Sequence, residues 1–167
     1  MKRFMIIPVM LAMLIGFSAS PAAETNFNEI KFEHDTLDNG LQVIYHVDRS
    51  APVVVSVIRY NVGSHDESPG QTGYAHFFEH LMFEATDAYE RAMLDKYIEE
   101  AGGYLNAFTS FDKTVYHIKV PSNEIKLPLW AESRRMRGLH VDSAGVETQR
   151  DVVLEEIVQP LVQCREV

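Results

Sequence analysis

The residues best suited to chemistry in this 167-residue chain are two histidines and a glutamate in the segment His76-Phe77-Phe78-Glu79-His80. On a helix, His76 and His80 would leave the same face one turn apart, because they are four residues apart in the sequence. Two imidazoles in that arrangement can bind one zinc ion through their ring nitrogens. Glu79 flanks the same position and can accept a proton from water without being a ligand. The segment therefore predicts a catalytic zinc site with a carboxylate base.

The alternative is a histidine pair that packs on or caps an amphipathic helix, with Glu79 in solvent. Against it, Phe77, Phe78 and the run Leu81-Met82-Phe83 make this helix apolar almost all round. Burying two histidines and a glutamate there without a partner would be costly. A catalytic zinc site also needs a third protein ligand and an open position, so we expect a further ligand from another element.

The pattern of apolar residues and turn residues predicts an α+β domain around this helix. Asp38-Asn39-Gly40 indicates a tight turn between the first two strands. Residues 53–60 form a near-continuous apolar run, interpreted as a buried central strand, and Pro128 is expected in the first turn of a helix. The glycine pair 102–103 and Pro160 are expected to end helices. The predicted strands are 31–37, 41–48, 53–60, 104–109 and 114–120, and the predicted helices run from 72 or 73 to about 83, then 88–101, 125–137 and 147–159.

Composition and charge narrow the class of protein. Hydrophobic residues make up 46% of the chain, which is enough for a packed core and argues against bulk disorder. The formal net charge of −9 argues against binding nucleic acid or anionic membranes through a general basic field. The single cysteine, Cys164, excludes an internal disulfide and a cysteine-based structural zinc site.

The first 23 residues have the pattern of a secretion signal. Lys2 and Arg3 precede an apolar run over residues 4–17, and small residues follow from Ser18 to Ala23. An apolar run of about 14 residues is too short to span a bilayer comfortably, which argues against a stable membrane anchor. We therefore expect residues 1–23 to be a signal peptide and the chain to be exported to the periplasm or the extracellular space.

The histidine segment and the motifs around it resemble the pitrilysin/insulinase family of zinc metallopeptidases, whose zinc motif is also His-x-x-Glu-His. The resemblance extends in the family's order over about residues 37–159, so it implies one pitrilysin-like peptidase domain. We assign that domain to residues 24–167, as an α+β domain with a mostly antiparallel sheet and helices packed on it, incomplete at its C-terminus. The matching motifs are Val62-Gly63-Ser64 with Glu67, Gly73-Tyr74-Ala75, the segment from Ala101 to Thr109, Val120-Pro121-Ser122 and the segment from Gln149 to Glu156.

The resemblance implies one zinc ion per chain and a third ligand on a later helix. Glu156, which lies 76 residues after His80, matches that ligand, and its neighbour Glu155 is the alternative. The two glutamates would point about 100° apart on a helix, so only one can face the metal. Many family members carry a further acid seven residues before the ligand. Gln149 occupies that position here, and its amide can hydrogen-bond a ligand without adding charge.

The resemblance also implies how substrate would bind. A peptide or unfolded polypeptide would add as an extra strand to residues 104–109, with Asn106 and Ala107 beside the scissile bond. The alternative is an ordinary sheet strand. Family enzymes use a second, similar half that supplies a tyrosine and an arginine towards the oxyanion. We therefore expect this chain to be a fragment or a short form that needs a complementing C-terminal half or a partner subunit.

Three functions remain after this comparison of motifs. The first is a zinc metalloendopeptidase domain that hydrolyses peptide bonds with Glu79 as general base. The second is a catalytically silent zinc-binding homologue that acts as a subunit or scaffold. The third is a non-enzymatic secreted domain whose histidines are structural. The intact set of His76, Glu79, His80 and Glu156 favours the first two over the third.

Overall fold

The computed structural model describes residues 30–163, with side chains as far as residue 158. The predicted signal peptide and Cys164 lie outside the described residues. The chain divides into two compact units, Met1–Val47 and Asp48–Val167. The described part of the first unit is an antiparallel hairpin of β1 (Glu33–Thr36) and β2 (Gln42–Tyr45). Its turn follows the prediction: Gly40 has φ +87°, and its N–H donates to the carbonyl of Leu37 at 2.8 Å.

The second unit contains an antiparallel sheet with helices on it, as the sequence predicts. In chain order its elements are β3 (Val53–Tyr60), α1 (Tyr74–Leu81), β4 (Ala85–Thr86), α2 (Met93–Glu100), β5 (Tyr104–Thr109), β6 (Thr114–Pro121), α3 (Lys126–Arg137), β7 (Leu139–His140) and α4 (Ser143–Gln163). The strand order of the sheet is β3-β6-β5, and the short strands β4 and β7 form a separate antiparallel pair. The fold class is therefore confirmed as α+β with antiparallel pairing.

The interpretation of residues 53–60 as the buried central strand is wrong. β3 lies at one edge of the three-stranded sheet, and β6 lies in the middle. Val53, Val55 and Val57 are exposed, whereas Ile118 and Val120 of β6 are almost fully buried. A run of β-branched residues predicts a strand, but its place in the sheet depends on which later strands pair with it, and periodicity carries no such information.

The core of the second unit lies between the sheet and α2 and α3. Leu94 and Ile98 of α2 are four residues apart, so both face the sheet, and each is at most 2% exposed. They pack with Ile118 and Val120 of β6 and with Ala131 of α3. As predicted, α2 ends before the glycine pair: Gly102 has φ +73°, and a Cβ on Gly103 would lie 2.7 Å from the carbonyl oxygen of Lys119.

Two helices have boundaries that differ by several residues from the prediction. The second helix begins at Met93 instead of residue 88, after turns over the intervening residues. The last helix begins at Ser143, four residues before the predicted start, and continues past Pro160. Its early start is explained by Asp142, whose carboxylate accepts the N–H of Gly145 at 2.7 Å and caps the first turn. Within residues 30–163, no helix is long and apolar enough to cross a membrane.

Candidate metal centre

The helix α1 that carries the histidines is capped by a residue from the preceding loop. Glu67 accepts the N–H of Gly73 at 3.0 Å through Oε2 and the N–H of Ala75 at 2.8 Å through Oε1. These donors have no partner inside the helix, and a negative charge at a helix N-terminus is favourable. Gly73 has φ +94°, which turns the chain into the helix. Glu67 therefore fixes where the helix starts.

The loop that supplies Glu67 is itself held against the turn between β5 and β6. The N–H of Ser64 donates to the carbonyl of Ser110 at 3.1 Å, and the N–H of His65 donates to that of Phe111 at 2.8 Å. Gly63 allows this approach, because a Cβ there would lie 2.3 Å from the carbonyl oxygen of Ser110. The sheet thus positions the loop, and the loop positions α1.

Three side chains from two helices converge, two from α1 and one from α4. The Nε2 atoms of His76 and His80 lie 3.2 Å apart. Oε2 of Glu156 lies 3.5 Å from Nε2 of His76 and 3.4 Å from Nε2 of His80. In the part of the chain that the structure describes, these three side chains form a group whose nitrogen and oxygen atoms lie close enough together to bind one metal ion. The structure therefore brings together His76, His80 and Glu156, with Glu156 rather than Glu155 in the group.

The three atoms fit a zinc ion better than a hydrogen-bonded cluster. In a tetrahedral site with bonds of about 2.0–2.1 Å, ligand atoms are separated by about 3.3–3.4 Å. The observed separations of 3.2–3.5 Å match that spacing. Hydrogen bonds between nitrogen and oxygen are usually about 2.9 Å long, and each needs a donor directed at one acceptor. Two imidazoles and a carboxylate are also a common donor set for catalytic zinc.

The site is open to solvent on one side. The side chain of His80 is 16% exposed, that of His76 is 37% exposed and that of Glu156 is 50% exposed. A cavity of about 460 Å³ borders all three residues and is also lined by Glu79. Such openness leaves room for water and a substrate beside the three ligand atoms, which a closed structural site would not.

Glu79 lies beside the three residues without joining them. Glu79 is only 7% exposed, and the hydroxyl of Thr109 donates a hydrogen bond to Oε2 of the Glu79 carboxylate. Its backbone carbonyl accepts a hydrogen bond from the hydroxyl of Tyr116 at 3.4 Å. Burial raises the pKa of Tyr116, and the nearby Glu79 carboxylate raises it further, so this phenol stays a donor. Contacts from two strands therefore hold Glu79 at the edge of the cavity.

The predicted substrate strand forms another wall of the same cavity. Asn106 and Ala107 of β5 line it together with the histidines, and β5 is an edge strand of its sheet. Asn106 donates through Nδ2 to the hydroxyl of Tyr104 at 2.7 Å, and its Oδ1 accepts the N–H of Ala107 at 2.8 Å. The structure thus places both residues at the site, and their role in binding substrate stays a prediction.

Gln149 also lines the cavity, and its amide donates to Oε1 of Glu84 at 2.9 Å. Glu84 is completely buried and was not among the residues predicted from the sequence to form the site. A signal was present: Glu84 is a lone acid directly after the apolar run Leu81-Met82-Phe83, four residues beyond His80. Such a residue needs a partner when its neighbours are buried.

The chain is similar to known proteins in sequence and in fold. The sequence model of the insulinase family, peptidase family M16, matches residues 42–163. The zinc protease PqqE of Helicobacter pylori is 34% identical over 145 residues, which cover 86% of this chain and 32% of that protein. The crystal structure of a protease from Helicobacter pylori has a TM-score of 0.74 and 35% sequence identity, covering 77% of this chain and 31% of that one.

The crystal structure of the first half of the periplasmic protease PqqL from Escherichia coli is also similar. Its TM-score is 0.70 with 27% identity, covering 75% of this chain and 29% of that chain. This chain spans between a quarter and a third of the length of the curated relatives that it matches. Because the family match covers well over half of the chain, the chain belongs to the insulinase family of peptidases, family M16.

Proposed function

We propose that this chain is the metal-binding domain of a zinc-dependent metalloendopeptidase. The observation that carries the proposal is the triangle of His76, His80 and Glu156, with a buried carboxylate at its edge. One zinc ion per chain would be held by those three residues. When bound, zinc polarises a peptide carbonyl and makes water more acidic.

In this proposal Glu79 is the general base. Oε2 of Glu79 accepts a hydrogen bond from the hydroxyl of Thr109, so we assign the proton transfer to Oε1. That oxygen takes a proton from the attacking water and returns it to the amide nitrogen of the leaving product. The hydrogen bond from Thr109 holds the carboxylate in one orientation while the proton moves, and the bond from Tyr116 to the backbone carbonyl of Glu79 holds the main chain there. Because Glu79 is almost fully buried, little solvent competes for its charge.

Substrate would bind as an extended peptide along the free edge of β5. Main-chain hydrogen bonds to an edge strand give affinity with little dependence on sequence, which suits a peptide or unfolded polypeptide. Asn106 and Ala107 would lie beside the scissile bond, since both border the cavity that contains the histidines. The exposed Tyr104 and Phe108 would offer apolar contacts to substrate side chains.

We further propose that the active enzyme needs a second half or a partner subunit. Support comes from the coverage: this chain corresponds to about a third of PqqE and to part of the first half of PqqL. In α4, Leu154, Ile157 and Val158 are each more than half exposed, which is a surface that another domain would cover. We assign residues 24–167 to the peptidase domain and residues 1–23 to a signal peptide, and we place the protein in the periplasm or outside the cell.

Peptide hydrolysis by the chain combined with its second half or partner subunit tests this function. Glu79→Gln keeps the size of the side chain but cannot accept a proton at neutral pH, so hydrolysis of a quenched fluorescent peptide should fall by at least a hundredfold. Its zinc content should equal that of the wild type. Zinc loss in Glu79→Gln would instead make Glu79 a ligand. If the wild type binds zinc but hydrolyses no peptide, the chain is the catalytically silent homologue.

A further inference from the structure

A completely buried carboxylate lies close to the metal centre and has no part in the proposed chemistry. Glu84 follows α1 and is 0% exposed. The chain reaches it through tight turns, in which the N–H of Phe83 donates to the carbonyl of His80 at 3.0 Å and that of Glu84 to the carbonyl of Leu81 at 3.1 Å. Burying a charged group without compensation is expensive, so its partners are informative.

The partners of Glu84 connect it to the last helix at two points. Arg91 donates through Nε to Oε2 of Glu84 and through Nη2 to Oδ1 of Asp142 at 2.8 Å. Asp142 caps the first turn of α4 by accepting the N–H of Gly145. The amide of Gln149, which lies about two helical turns after Asp142, donates to Oε1 of Glu84. Both carboxylate oxygens of Glu84 are therefore used to hold α4.

The backbone of α4 is packed directly against this pair. A Cβ on Gly145 would lie 2.5 Å from Oε2 of Glu84 and 2.7 Å from Nη2 of Arg91. A side chain at this position would have to displace the ends of both side chains, so the glycine leaves room for α4 to pack against the pair as observed. The position of α4 is thus defined by close contact as well as by hydrogen bonds.

The same face of α4 carries the proposed ligand. Gln149 and Glu156 are seven residues apart, which is two helical turns, so their side chains leave the helix in nearly the same direction. On the other side, His80 and Glu84 are four residues apart. Helix α4 therefore contacts the segment from His80 to Glu84 at two points: Gln149 contacts Glu84, and Glu156 contacts His80. A shift of α4 that breaks the first contact would also move the carboxylate of Glu156.

We propose that Glu84 is a positioning residue that, through Arg91 and Gln149, fixes α4 so that Glu156 reaches the metal. The inference rests on the proposed zinc site and adds to it the group that sets the third ligand. Glu84 acts through the helix and touches neither metal nor substrate. Its loss should weaken zinc binding even when the protein remains folded, because outer groups that orient ligands typically contribute a factor of about 10–100 in metal affinity.

The test is the zinc affinity of the full chain, measured by competition with a chromogenic chelator. Glu84→Gln should weaken zinc binding by about ten- to a hundredfold. Gln149→Met keeps the side-chain length and removes the amide donor, so it should weaken binding in the same direction and guards against misfolding of the first variant. Glu132→Gln is the matched control, since Glu132 is also buried and paired with an arginine, Arg135, but belongs to α3.

The expected pattern is weaker zinc binding in Glu84→Gln and Gln149→Met, and wild-type binding in Glu132→Gln. In the metal-free chain, hydrogen exchange of the α4 amides should also be faster in Glu84→Gln than in Glu132→Gln. Wild-type zinc affinity in both Glu84→Gln and Gln149→Met, with affinity lost in Glu156→Gln, would overturn this inference and leave the zinc site standing. Equal weakening in Glu132→Gln would also overturn it. A wild-type chain that binds no zinc would overturn both.

Discussion

The hydroxyl of Thr109, at the end of β5, donates a hydrogen bond to the carboxylate of Glu79 in α1. This bond joins the strand proposed to bind substrate to the residue proposed to move the proton. The same hydroxyl lies 3.3 Å from that of Thr114, which donates to the carbonyl of Val62 at 3.0 Å. Both hydroxyl protons are used in these bonds, so the two threonines are neighbours without a hydrogen bond between them.

Replacing Thr109 by valine should slow catalysis without loss of metal. Valine keeps the shape of threonine but cannot donate, and a hydrogen bond to a charged group contributes about 1.5–3 kcal/mol. We expect kcat of the enzyme assembled with its second half or partner subunit to fall about tenfold or more, with a small change in KM and unchanged zinc content. Thr109→Ser, which retains the hydroxyl, should keep most of the activity. Equal losses in the valine and serine variants would contradict this prediction, because serine retains the hydroxyl that donates the hydrogen bond.

Removing the cap of α1 should lower stability. Glu67→Ala leaves the N–H groups of Gly73 and Ala75 without their acceptor, and loss of a helix cap costs about 1 kcal/mol. Urea unfolding of the metal-free chain should show a lower midpoint with an unchanged slope. Glu99→Ala, on the exposed side of the last turn of α2, is the control and should have little effect. An unchanged midpoint in Glu67→Ala would mean that the loop does not hold the helix.

The sequence was sufficient for the parts of the site that depend on local geometry. The four-residue spacing of His76 and His80 predicts one face of a helix, and that helix is observed. The pairing of these histidines with Glu156 came from resemblance, because nothing local relates residues 76 positions apart. The structure brings the three together, and their role as ligands stays a prediction.

The parts that could not be predicted depend on tertiary contacts. Glu67 was recognised as part of a motif, but its role as a cap required the position of the loop relative to α1. The contacts of Glu84 with Arg91 and Gln149 join segments far apart in the chain. The start of α4 was missed because Gly145 weakens the helical pattern, whereas in the structure the glycine leaves room for the side chains of Glu84 and Arg91.

The 167-residue chain by itself should hydrolyse peptides poorly even when it contains zinc. Donors directed at the developing oxyanion are expected from a second half, and loss of one such donor typically costs about a hundredfold or more in turnover. The measurement is the rate at which the purified chain hydrolyses a quenched fluorescent peptide. The Glu79→Gln variant gives the background rate. Rapid zinc-dependent turnover by the monomeric chain would refute the need for a second half.

The metal content of the purified chain and its ligand variants tests the central claim most directly. The account predicts about one zinc ion per chain in the wild type, with most of it lost in His80→Ala and in Glu156→Gln. Glu155→Gln is the matched control and should retain zinc, since the neighbouring side chain leaves the helix about 100° away. Wild-type zinc content in His80→Ala would contradict the proposed site, and zinc loss in Glu155→Gln but not in Glu156→Gln would move the third ligand by one residue.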